Sequence, residues 1–380
     1  MSPPVEGFVP PPYPHDRLKG LIPLGEAFPG GLVDLSIGTP CDPPPAAVTS
    51  VLGSSGAERG YPPSVGTEQF RDAARGWIAA RLGVSLEREQ VAACIGAKEF
   101  VAGLPHLLRL RNPGRDTILY PELSYPSYAM GATLGGCRAV PVPLGPDLRL
   151  DLAAIDSADA ERALALWVNS PGNPAGQLDD LGAAARWGRE RGIPVFSDEC
   201  YAEYTWEGPP RTILEHGTEG LVAVHSLSKR SNLAGARAGF YAGDTDLVHY
   251  LSETRKHLGL MVPGPVQAAA VVALADQSHV EVQRDRYRRR LGLLADLLGR
   301  MGVDVPLPAG AFYLWVEAPG GDAWAFTEKL VRELGMLVSP GEFYGPAGAS
   351  HVRVAAVQPE ERIALLGERL DRGRSGHRGS

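Results

Sequence analysis

The chain has 380 residues and a formal net charge of −7, with 44% apolar and 21% charged residues. This describes a globular protein long enough for two cores, and neither the acidic balance nor the lack of a long basic run suits a nucleic-acid binder. No stretch has the length of a membrane span and the Pro-rich start lacks a signal-peptide centre, so a cytoplasmic protein is expected, with its four distant cysteines (41, 94, 137 and 200) as reduced thiols and no metal site.

The first forty residues are rich in Pro and Gly and read as an arm that packs on the remainder. Residues 32–37 suit a short strand closed by Gly38-Thr39-Pro40, and 45–52 a short helix. Gly60-Tyr61-Pro62-Pro63 begins a loop. Thr67 is placed to cap a helix reaching about Leu82, with Phe70, Ala74, Trp77 and Ile78 on one face. From residue 90 a rhythm sets in. Strands are predicted over 91–95, 117–120, 139–142, 163–168, 194–197, 221–225 and 238–242, with helical patterns over 98–110, 125–134 and 179–191 between some of them. That alternation predicts an α/β fold with a mainly parallel sheet covered on both faces, and ligands at the C-terminal ends of its strands. A helical stretch follows over 266–298, broken near 277–279, and its basic segment 284–290 reads as a wet helix face. Strands over 311–316 and 352–355 and helices over 324–334 and 359–370 predict a smaller α+β domain. The expected division is an arm over 1–44 that contributes to the small domain, a large domain over 45–262, an interdomain helix and small domain over 263–370, and a frayed tail over 371–380.

Lysine is scarce: Lys19, Lys98, Lys229, Lys256 and Lys329 are the whole set. Lys229 alone follows a buried-strand pattern with hydroxyls beside it, in Ser226-Leu227-Ser228-Lys229, and Arg237 comes eight residues later. A lysine so placed can hold a carbonyl cofactor by its ε-nitrogen while Ser226 and Arg237 hold a phosphate; a solvated loop lysine is the plain alternative. Asp198 ends another strand pattern. It could be a metal ligand, a cap or the partner of a cationic ring nitrogen, and no His/Cys cluster of metal spacing accompanies it. Tyr201, three residues on, could donate to a ring oxygen. Asn173 sits in a double turn, Asn169-Ser170-Pro171-Gly172-Asn173-Pro174, and could close an Asx-turn or face a ligand. Gly96-Ala97-Lys98-Glu99 opens a helix after a strand, where free N–H groups can cradle phosphate. Tyr125 could stack on a flat ring or pack in the core. Arg353, inside an apolar strand pattern, needs a partner, either a structural acid or a bound carboxylate.

In this order and spacing, Asn173-Pro174-Ala175-Gly176, Asp198-Glu199-Cys200-Tyr201, Ser226-Leu227-Ser228-Lys229 with Arg237, and Val352-Arg353-Val354 resemble the fold-type I, pyridoxal-phosphate-dependent aminotransferases of class I/II, over nearly the whole chain. The resemblance implies pyridoxal 5'-phosphate held by Lys229 as a Schiff base, with Lys229 also shuttling the proton. It implies Asp198 on the pyridine nitrogen, Tyr201 and Asn173 on the ring oxygen, and Tyr125 stacked on the ring. Ser226, Arg237 and the amides of Ala97 and Lys98 would take the phosphate. Arg353 would take the substrate's α-carboxylate, with Gly38 beneath the substrate and Asn173 also beside it. Tyr61 matches a residue that reaches the neighbouring phosphate across a homodimer. Within the group, residues 225–239 and Gly310-Ala311-Phe312-Tyr313-Leu314-Trp315 most resemble actinobacterial N-succinyldiaminopimelate aminotransferases, although Arg230 and Ala236 stand where a small polar and an aromatic residue are expected, and the Pro-rich opening also departs from the pattern. The implied reaction is ping-pong transfer between L-glutamate and N-succinyl-2-amino-6-oxopimelate. The rival readings are transamination of another amino acid, a C–S lyase on the same fold, and a regulator carrying an aminotransferase-like domain. The regulator needs a DNA-binding domain that the first forty residues cannot form. A nicotinamide dehydrogenase is excluded because no strand is followed by G-x-G-x-x-G.

Overall fold

The computed structural model describes residues 7–376, so the first six residues of the expected arm and the last four of the expected tail lie outside the described residues. The chain's first strand, β1 (Val33–Asp34), lies outside the main sheet. That sheet is built from β2 (Val91–Cys94), β3 (Thr117–Pro121), β4 (Arg138–Val142), β5 (Ala163–Asn169), β6 (Val195–Asp198), β7 (Leu221–Ser226) and β8 (Gly239–Gly243), in the order β2-β8-β7-β6-β5-β3-β4. β8 runs antiparallel to both neighbours and the other pairs are parallel. The strands fall within a residue or two of the predicted runs because their sequences are apolar without alternation. Every residue of β5 and β7 is buried, as strands covered on both faces must be. Their period of two still sorts the faces. Leu221 and Ala223 join one core with Phe70, Trp77 and Ile78, while Val222 and Val224 join the other with Phe100 and Leu104.

Local signals explain the helix ends. Thr67 accepts the Phe70 N–H at 3.2 Å to open the helix Glu68–Leu82, and Gly83, at φ 70°, ends it. The predicted break in the long stretch separates Gly264–Ala275 from Ser278–Arg300, where the Asp276 carboxylate takes the Ser278 N–H at 2.9 Å.

Two expectations are corrected. The segment 284–290 is not a wet face throughout: Tyr287 and Arg290 turn inward, and Arg290 grips Asp42 through both terminal nitrogens at 2.6 and 2.8 Å. The helix packs on the second core, so residues one turn apart must face it, and Asp42 compensates the buried charge. The last helix also runs to Gly376 rather than fraying at 371, helped by an Arg300–Asp371 ion pair at 2.5 Å and by Arg369, which donates to the carbonyls of Leu334, Pro29 and Gly31.

The second sheet comprises β9 (Tyr313–Glu317), β11 (Ser339–Pro340) and β12 (His351–Ala355), antiparallel in the order β11-β12-β9, and β10 (Met336–Leu337) pairs in parallel with β1. Its core joins Val33 and Leu35 from the arm to Leu294, Leu314, Leu330 and Val354. No helix among the described residues is long and apolar enough to cross a membrane.

Candidate active site

The C-terminal ends of β2, β5, β6 and β7 and the facing edge of the second sheet enclose a cavity of about 430 Å³. It brings together Gly38, Ala97, Lys98, Tyr125, Asn173, Asp198, Tyr201, Ser226, Lys229, Arg237 and Arg353. Tyr61 is the exception. It stands on its loop with 95% of its surface exposed, outside this cavity.

Lys229 projects from a single helical turn, Leu227–Arg230, that β7 feeds directly. Ser226 caps the turn by accepting the Ser228 N–H at 3.2 Å, and the phenol of buried Tyr204 donates to the Lys229 carbonyl at 2.8 Å. The ε-amine donates to the Gly38 carbonyl. Burial lowers its pKa to about 8, and the charges of Arg353 and Arg237 push the same way.

Asp198, the last residue of β6, is held from three sides. Oδ2 accepts the Tyr128 hydroxyl at 2.8 Å, Oδ1 accepts the Cys200 N–H at 3.2 Å, and the Asp198 carbonyl accepts Nδ2 of Asn169 at 2.8 Å. Burial raises the carboxyl pKa, while the hydrogen bonds and the Lys229 charge draw it back. Asn169 also fixes the neighbouring turn, its Oδ1 accepting the Asn173 N–H at 2.8 Å. The sequence reading did not assign Tyr128 or Asn169 a role. Their signals were slight, a tyrosine one turn beyond Tyr125 and a polar residue closing a fully apolar strand.

Two arginine-centred groups of donors line the cavity with Lys229. In the first, Gly96 (φ 75°) precedes the helix Ala97–Arg111, whose first N–H groups have no intrahelical acceptor. Arg237, itself in the left-handed region at φ 59°, donates to the carbonyls of Ala234 at 2.9 Å and Ile95 at 3.3 Å, and its guanidinium lies where a Cβ at Gly96 would stand. In the second, Arg353 is clasped between the rings of Tyr313 and Tyr344, its guanidinium carbon 4.2 and 4.7 Å from their centroids. It donates to Asn173 Oδ1 at 2.8 Å and to the Ser36 carbonyl at 2.6 Å. A third cation, Lys98, lies 4.7 Å from the ring of Tyr13 and 5.7 Å from that of Tyr125. Asp198 is the sole carboxylate among the lining residues, so the cavity is strongly cationic.

Tyr201 meets Tyr313, another residue given no role beforehand. Their hydroxyls are 2.8 Å apart, and both side chains are buried.

Comparison with known proteins fits this geometry. The family model for aminotransferase class I and II matches residues 31–370. The 4-dedimethylamino-4-oxo-anhydrotetracycline transaminase OxyQ of Streptomyces rimosus is 41% identical over 368 residues, covering 95% of this chain and 99% of that protein. A probable aminotransferase of Mycobacterium tuberculosis is 42% identical over 369 residues, covering 95% of this chain and 85% of that one. A solved structure of a probable N-succinyldiaminopimelate aminotransferase from Thermus thermophilus matches with a TM-score of 0.80 at 32% identity, covering 89% of this chain and 94% of that one. With its family matched across both sheets, the chain belongs to the class I and II aminotransferases and is a pyridoxal-phosphate-dependent transaminase.

Proposed function

We propose that this transaminase moves an amino group between L-glutamate and N-succinyl-2-amino-6-oxopimelate, acting as a cytoplasmic homodimer. The cavity lies between the large domain (45–262), which carries Lys229, and the small domain (263–370, with the arm), which carries Arg353.

The residues present suit pyridoxal phosphate. The room that Gly96 leaves for Arg237, beside the N–H groups of Ala97 and Lys98, suits a phosphate, which Ser226 and Tyr61 of a second copy would complete. Asp198 would face the pyridine nitrogen, Tyr201 and Asn173 the ring oxygen, and Tyr125 the ring. When bound, the cofactor supplies a carbonyl to receive the amino group and a ring that withdraws electrons. The protein's part follows from its side chains. Lys229 anchors the cofactor by Nζ. Its amine, whose pKa burial lowers to about 8, would be the group that takes and returns the α-proton. Asp198, whose carboxylate oxygens accept from Tyr128 and the Cys200 N–H, would pair with the ring nitrogen's proton. Arg353 fixes the α-carboxylate so that the breaking C–H bond points toward Lys229.

The cavity's charge is the observation that carries the substrate reading. With Arg237 given to phosphate and Arg353 to the α-carboxylate, the Lys98 ammonium remains for a second, distal carboxylate. Both proposed substrates have one.

The test is an absorbance spectrum of the cofactor-loaded protein before and after L-glutamate. The visible band should be lost with stoichiometric release of 2-oxoglutarate, and the succinylated keto acid should restore it faster than pyruvate does. Restoration by pyruvate at an equal or higher rate would overturn the dicarboxylate reading. The 41% identity to OxyQ favours a second reading, in which the acceptor is a ketone on a fused-ring system. Restoration by such a ketone but not by the keto acid decides for it.

A further inference from the structure

Tyr313 is the first residue of β9, and the β9–β12 register sets it opposite Ala355, two residues from Arg353. Three contacts converge on it. Its hydroxyl lies 2.8 Å from that of Tyr201, its ring lies 4.2 Å from the Arg353 guanidinium carbon, and its phenol occupies the place where a Cβ at Gly38 would stand. Tyr201 follows β6 of the main sheet, so this pair of phenols is a direct polar link between the two sheets at the cavity wall. The rings meet nearly edge-on, at 74° with centroids 5.5 Å apart, so the contact is made by the hydroxyls rather than by stacking.

A phenol carries one proton, and only one of two paired hydroxyls can donate to the other. If Tyr313 donates, the proton of Tyr201 is left for the cofactor, and accepting a hydrogen bond makes Tyr201 a stronger donor. The 2.8 Å separation allows either hydroxyl to donate, and Gly38 brings no side chain against the Tyr313 hydroxyl to compete for its proton.

We propose that Tyr313 is a positioning residue that directs the Tyr201 proton toward the cofactor's ring oxygen, so that the cofactor's proton affinity is tied to the strand pair that also carries Arg353. The inference rests on the placement of Tyr201 proposed above. The other titratable or charged groups facing the two phenols are Arg353, Tyr344, Tyr125 and Cys200. Arg353 is held cationic throughout by its raised pKa, and burial raises the pKa of the other three, so they stay neutral through the range to be titrated.

The test is a pH titration of the visible absorbance of the cofactor-loaded protein, comparing wild type with Tyr313→Phe, Tyr201→Phe and the double variant. A donor on the ring oxygen disfavours protonation of the lysine–cofactor linkage. Tyr201→Phe should therefore raise the midpoint by about one to two units, and Tyr313→Phe by roughly half a unit. The double variant should match Tyr201→Phe, because Tyr313 acts through Tyr201. If Tyr201→Phe shifts the midpoint and Tyr313→Phe does not, the relay is wrong while Tyr201's placement stands. A downward shift in Tyr313→Phe means Tyr201 was donating to Tyr313, which also overturns the relay. No shift in Tyr201→Phe removes the placement and the proposal together. Thermal melts of the cofactor-free variants separate lost folding from a lost relay, since Tyr→Phe keeps the packing of both rings.

Discussion

Arg353 donates to the side-chain oxygen of Asn173 at 2.8 Å, across 180 residues of sequence and from one sheet to the other. With its second hydrogen bond to the Ser36 carbonyl and two aromatic rings 4.2 and 4.7 Å away, the guanidinium is set in place before any substrate arrives. If Arg353 takes the carboxylate as proposed, little ordering remains to be done on binding, which is how a preorganised clamp gains affinity.

Arg353→Lys should therefore be severe. A point charge replaces the planar fork and loses the ring contacts, so kcat/KM should fall about a hundredfold or more for glutamate and for the keto acid alike. Steady-state kinetics check this, and a loss confined to one substrate counts against an α-carboxylate role.

Lys98→Met should divide substrates by charge. The KM for those with a distal carboxylate should rise about tenfold, corresponding to about 1.4 kcal/mol, with little change for alanine or pyruvate. Equal losses for both classes would return Lys98 to a purely backbone role at the phosphate.

Lys229→Met should abolish transamination, lowering it by a thousandfold or more, roughly. It should also stabilise the cofactor-free protein. Burial holds the folded-state pKa at about 8, below the unfolded value of about 10.4, so the unfolded chain binds more protons between these values. Keeping Lys229 buried thus destabilises the fold most below pH 8, by about 3 kcal/mol, and this cost fades as pH rises toward 10. Melting curves at pH 7 and pH 10 should show the variant's advantage shrinking.

Tyr128→Phe removes a hydrogen bond to the Asp198 carboxylate without changing shape. The carboxyl pKa rises, so the acid limb of the pH–rate profile should move up while the alkaline limb stays where it is. The folded protein should lose about 1 kcal/mol. An unmoved acid limb would show that Asp198 is not the group that titrates there.

Tyr61→Phe alters only a hydroxyl on a side chain that is 95% exposed on its own chain. The melting temperature of the cofactor-free protein should not change, while the cofactor's dissociation constant should rise several-fold if a second copy inserts this tyrosine. Equilibrium dialysis with pyridoxal phosphate measures it.

Much of this was legible because the chemistry sits at strand ends. Asp198 and Lys229 each end or follow an apolar run, and the run itself gave their place. The strand carrying Arg353 stood out because a charge interrupted it. What could not be read were partners set by tertiary approach. Tyr128 reaches Asp198 across 70 residues and Tyr201 meets Tyr313 across 112, and neither spacing has a period to detect. Arg290 was misjudged for a related reason. A row of arginines looks solvated until the fold places Asp42, 248 residues earlier in the chain, beneath one of them. The short strands β10 and β11, two residues each, carry no local pattern at all.

The grip of Arg353 on the Ser36 carbonyl, reinforced there by Ser339 at 2.7 Å, has a consequence for synthesis. A ribosome adds residues from the N-terminus, and the large sheet, complete by Gly243, can form while the rest of the chain is still being made. The stretch around Ser36 emerges among the first and waits for partners that emerge among the last. A nascent chain can thus shape the strand-end floor of the cavity early, but the Arg353–Ser36 contact closes only near the end of translation, and a chain cut short before Arg353 keeps Lys229 without the arginine proposed to hold the substrate.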